Sequence, residues 1–153
     1  MLILGTLFLV PGCSADAPEG SSYEDCRYLA PEPIFSERLA GVRQHAFSLD
    51  GQAAEERLRL SSGLQVTIEQ SGCDYIRQVF IFEWETGPRG NSAVYWARAA
   101  QDKFRQLARL GAPYLSFKAI SDAIAGMEQQ ITMGEPFQLQ PGLTMEIRPL
   151  SEA

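Results

Sequence analysis

Four consecutive apolar residues, Val79-Phe80-Ile81-Phe82, constrain this chain more than any other stretch. All four are β-formers. Successive side chains of a strand point to opposite faces, so a strand through this run is apolar on both. Such a strand must be covered on both sides and belongs inside a sheet rather than at its edge. The run sits within Tyr75 to Glu85, which also holds Ile76 and Trp84. The expectation is a central strand with helices on one face and lid residues on the other.

The segments before it read as a β-meander. Val42 to Leu49 carries alternating His45, Phe47 and Leu49, and Asp50-Gly51 is a turn signal. Glu56 to Leu60 alternates as Arg57-Leu58-Arg59-Leu60, and Ser61-Ser62-Gly63 ends it. Leu64 to Glu69 alternates again, until Ser71-Gly72. Beyond Gly87-Pro88-Arg89-Gly90 the period changes. Ala93, Val94, Ala97, Ala100, Phe104, Leu107 and Ala108 share one face of a helix over 92–110, which Asn91 or Ser92 can cap. A second helix begins near Ser116 and runs through Phe117, Ile120, Ile124, Met127 and Ile131 to Gly134. Phe137-Gln138-Leu139 and Leu143 to Ile147 flank Gln140-Pro141-Gly142 as a last hairpin. The predicted fold is α+β: an antiparallel sheet of about four strands, then a two-helix hairpin packed on one face, then two strands.

The chain has 153 residues, 45% hydrophobic and 21% charged, which suits one domain with a true core. Its net charge of −6 argues against a phosphate-binding footprint, so nucleic acid is not an expected partner. The same charge argues against attachment to anionic lipid by electrostatics.

The N-terminus sets the compartment. Met1 to Val10 is an apolar run of signal-peptide length, too short to span a bilayer, and it closes at Gly12-Cys13. Val10, Gly12 and Cys13 resemble the signal of bacterial lipoproteins, in which the closing cysteine is lipidated and becomes the mature N-terminus. The resemblance implies a signal peptide over 1–12, a palmitate-type anchor on Cys13 and, with Ser14 following, the outer membrane rather than the inner. Two other fates stay open. Cleavage after the A-x-A-like Ala15-Asp16-Ala17 would release a soluble periplasmic or secreted chain, and the run could instead be the first strand of a cytosolic domain. Residues 14–25 are turn-rich and acidic and read as a flexible tether of up to about 40 Å. The expected organisation is therefore signal peptide 1–12, anchored tether 13–25 and a single domain 26–153.

With Cys13 lipidated, Cys26 and Cys73 remain, an even number suited to an oxidising compartment. A disulfide between them would close a loop of about 50 residues, for which chain entropy gives roughly 4 kcal/mol. The alternative is two buried thiols. No metal or cofactor site is expected, since two cysteines and one histidine lack the close ligand pairs of structural zinc.

The search for chemistry returns little. His45 has no nucleophile at an informative spacing and reads as structural. There is no Gly-x-Ser-x-Gly elbow and no P-loop. Glu83 and Glu85 share a strand face, but acid–base pairs usually face each other across a cleft. The most distinctive surface feature is the stripe Arg98, Asp102, Arg105, Arg109 with Tyr95 at its edge, a basic strip on an acidic protein. Arg and Tyr are enriched at binding hot spots, so Tyr95, Arg98, Arg105 and Arg109 form a candidate partner-binding surface. An ordinary wet helix face with one Arg–Asp pair is the plainer explanation. The expected function is a non-enzymatic envelope lipoprotein that binds a partner protein, such as an inhibitor or immunity protein. The alternatives are an assembly factor of an envelope complex and a small secreted hydrolase.

Overall fold

The computed structural model describes residues 2–8, 26–84 and 90–150. In chain order its elements are β1 (Leu2–Phe8), β2 (Val42–Asp50), β3 (Ala53–Leu60), β4 (Gln65–Ser71), β5 (Arg77–Glu83), α1 (Ala93–Ala108), a 3-10 turn (Ala112–Tyr114), α2 (Ser116–Met127), β6 (Phe137–Gln140) and β7 (Leu143–Leu150). Among the described residues the strands form one seven-stranded sheet in the order β2-β3-β4-β5-β1-β7-β6. Every pairing is antiparallel. The class is α+β, with the four-strand meander, the helix pair and the final hairpin in the expected order.

The apolar run leads to an interior strand. β5 lies between β4 and β1, and Val79, Phe80 and Phe82 keep 3%, 1% and 0% of their surface. Cross-strand register puts Val66, Phe82, Ile68, Phe80 and Ile147 on the helix-covered side. There Phe80 and Phe82 each meet the Phe104 ring edge-on at 5.3 Å, and Phe80 meets Phe117 at 5.7 Å. The offset edge-to-face geometry adds to the area these rings bury.

Leu2–Phe8 takes a place in the sheet. The sequence gives this segment to a signal peptide and starts the folded domain at residue 26. In the structure it pairs along seven residues with β5 on one side and with β7 on the other. A short apolar run is consistent with both roles, because a signal core and a buried strand share one pattern. Cys13 and the tether lie outside the described residues.

The helix pair also differs in detail. Ser92 caps α1, its hydroxyl accepting the Tyr95 N–H at 3.1 Å. α2 stops at Met127, seven residues before Gly134. The Gln130 N–H turns back to the Met127 carbonyl at 2.8 Å, and the Gly134 N–H donates to the Ile147 carbonyl at 2.9 Å. The segment after α2 is thereby drawn onto β7, and Ile131 is buried from a loop rather than from the helix.

Residues 26–41 form a strap ahead of β2. Phe35 carries it into the core, stacking on Tyr114 at 4.7 Å and on Phe117 at 5.7 Å. The Cys26–Cys73 disulfide, with Cα atoms 4.7 Å apart, fastens the start of the strap to the β4–β5 loop. Gly72 makes that loop possible: its φ is 120°, and a Cβ there would lie 1.8 Å from the Tyr75 carbonyl oxygen.

Candidate functional site

The arginine stripe is divided by its partners. Arg98 forms a two-pronged pair with Glu128 just past α2, Nε and Nη2 each 2.9 Å from a carboxylate oxygen. This fork geometry suits guanidinium and carboxylate and ties the two helices together. The hydrogen bond from Arg98 and its charge hold the Glu128 carboxyl below the usual range, and the pairing raises Arg98 in turn. Asp102 does not pair with an arginine of the stripe. It accepts from Lys103 at 3.1 Å and Gln106 at 2.8 Å. Partial burial pushes the Asp102 carboxyl up, but these two hydrogen bonds and the charges of Lys103 and Arg105 together bring it below its ordinary value.

Arg105 and Arg109 remain. Both are exposed, and neither has an ion-pair partner among the described residues. Tyr95 is half-buried, its ring edge-on to Trp96 at 5.1 Å and beneath Gly90, where a Cβ would come within 2.4 Å of the ring. The close approach sets Gly90 against the tyrosine ring. Of the four residues, two are exposed cations with no ion pair among the described residues, one is spent on Glu128 and one is partly packed. Lys103 was not part of the expected surface. Its stem is nearly buried and its ammonium lies 4.6 Å from the Trp84 ring centre, a cation–π contact that shields the end of β5.

A second charged cluster lies inside. Glu56 sits on β3 in the same parity as Leu58 and Leu60 and is fully buried. Its two oxygens accept the backbone N–H groups of Ile34 at 2.7 Å and Phe35 at 2.8 Å. Nε2 of His45, on the neighbouring β2, lies 2.8 Å from the same carboxylate. A carboxylate can only accept, so this ring nitrogen donates. Nδ1 of His45 is buried with no hydrogen-bond partner. The arrangement resembles a base with its orienting acid, yet the imidazole is 4% exposed and the carboxylate 0%. Its geometry serves to hold the strap, whose backbone donors would otherwise be buried unpaired.

Other candidates separate in the same way. Glu83 stands at the end of β5 opposite Gln65, and Glu85 lies outside the described residues. The outer face of the sheet bears an open depression of about 270 Å³ lined by Asp50, Glu55, Glu69 and Arg77. Among the described residues no group of three His, Cys, Asp or Glu side chains is placed to hold a metal. No helix among them is long and apolar enough to cross a membrane. At the disulfide end, where the Tyr28 N–H donates to the Cys73 carbonyl at 3.1 Å, Leu29 is 90% exposed and Tyr75 49%. Comparison with known protein families, with curated proteins and with solved structures finds no match.

Proposed function

We propose that this protein is a non-enzymatic binding protein of the bacterial envelope, exported, anchored through a lipid on Cys13 and acting on a partner protein as an inhibitor or immunity protein does. The Cys26–Cys73 disulfide supports export, because such bonds persist in oxidising compartments. The observation that carries the binding role is the pair of exposed arginines, Arg105 in the last turn of α1 and Arg109 at its C-terminal cap, which have no ion pair among the described residues while Arg98 and Asp102 are satisfied within the molecule. On a chain of net charge −6 these two cations make a local patch that complements an acidic partner surface. The buried His45–Glu56 pair is engaged in holding the strap, which supports a surface role over a buried catalytic one.

Affinity capture from native envelope followed by mass spectrometry tests this reading. The wild-type chain retains one envelope protein with an acidic face, and the Arg105→Glu, Arg109→Glu double variant loses it while remaining folded. Equal retention by both chains would sink the arginine surface. Intact mass tests the anchor: the mature chain begins at Cys13 and carries lipid, and a mature chain beginning at Ser14 or later excludes it.

A further inference from the structure

The lane that Leu2–Phe8 fills in the sheet is a complete strand-binding site. β5 and β7 each present seven residues to β1 and do not pair with each other. The lane has a roof, because α1 touches both β1 and β7. It also has a frame that does not depend on its occupant. β7 is held by α1, β6 by α2, and the two helices by each other. Removing β1 would therefore leave two rows of unpaired backbone groups under a helix, an arrangement that favours an added strand. The lane has a shape as well. Its central register position lies between Phe80 and Ile147, which are 1% and 0% exposed, and Gly5 occupies it. The next positions on the same parity, opposite Phe82 and Gln78, are Ile3 and Leu7.

We propose that this lane takes an extended apolar segment of the partner protein, reading apolar–x–small–x–apolar, after Leu2–Phe8 has been removed. The inference rests on the export reading above and names the mode of recognition. Processing is hydrolysis of the Gly12–Cys13 peptide bond by a host peptidase, with water divided between the new carboxyl and amino ends. In the unprocessed chain the leader fills the lane and excludes the partner. In the processed chain both edges are open, and main-chain hydrogen bonds on two sides supply affinity while the small central residue supplies selectivity.

The probe is a labelled peptide of the Leu2–Phe8 sequence with lysines appended for solubility, added to the processed chain that begins at Cys13. The expected results are one-to-one capture, with the amides of β5 and β7 exchanging fast before addition and protected after it. A Gly5→Leu version of the peptide binds at least about tenfold more weakly, because the larger side chain must fit between Phe80 and Ile147. Protected β5 and β7 amides in the processed chain alone would mean that the sheet has closed, and equal binding of the two peptides would mean that the lane has no shape; either overturns the proposal. Should the processed chain not fold alone, the full chain is cut between Ser14 and Ser22 after folding and refolded with excess peptide, and absence of capture overturns the proposal there too. A host-purified chain that retains Met1 is a different failure: it removes the export reading and makes β1 a permanent strand.

Discussion

Two acidic residues far apart in the fold each join two segments, and they do so in opposite settings. Glu56 sits at 0% exposure and gathers two backbone N–H groups and His45. Glu128 lies at the surface and grips Arg98, itself 64% exposed. The first replaces water for groups that have no other partner, so its loss leaves three donors stranded. The second competes with solvent at every moment, so its loss is largely made good by water. Depth rather than geometry decides which one the fold depends on.

The largest break in this comparison is Glu56→Ala. Removing one side of a buried polar cluster costs about 3–5 kcal/mol, and urea unfolding should show it with the strap opening first under hydrogen exchange. Glu56→Gln retains one acceptor oxygen and should recover part of the loss. Next comes the double variant Cys26→Ser, Cys73→Ser, which removes the cross-link at the other end of the same strap and should lower stability by about 2–4 kcal/mol under oxidising conditions. The same variant compared with wild type in reductant should show no difference, which separates cross-linking from a change in packing.

Arg98→Ala should have a smaller effect, screened by salt and tied to pH. Glu128 has a folded-state pKa below its unfolded value, so the unfolded chain binds the proton more readily. The pair therefore stabilises the fold above the ordinary carboxylate range, near pH 4, and that contribution disappears as pH falls through the lowered value. Wild type and Arg98→Ala should differ at neutral pH in low salt and converge in strong acid; a constant gap down to pH 2 would mean that the arginine acts by packing. The smallest effect on stability belongs to Arg105→Glu with Arg109→Glu, within about 0.5 kcal/mol for exposed sites. The same pair has the largest expected effect on partner capture, so stability and binding should rank these variants in reverse order.

The meander, both helices and the last hairpin were legible because each is local: alternation in β2 to β5, three-and-four spacing in α1 and α2, and turn residues between them. The interior place of β5 followed from Val79 to Phe82 alone. Glu56 was partly legible, since it falls on the inward parity of Leu58 and Leu60 and breaks the pattern there. Its partners were not, because Ile34 and Phe35 donate from backbone that no side-chain pattern records. The Arg98–Glu128 pair and the Lys103–Trp84 contact join residues of different elements, and one sequence carries no sign of such meetings. The arginine stripe was visible as a row, but which of its members stay unpaired depends on the end of α2.

The order of strands has a consequence for how the chain reaches this state. Leu2 pairs with Leu150, so one edge of β1 cannot be satisfied until β7 exists. β2 to β5 are neighbours in sequence and can form while synthesis continues, but contacts this distant are the slow step of assembly. Throughout that interval the Leu2–Phe8 segment lacks its β7 partner. β1 is thus completed last, when β7 arrives to pair with its second edge.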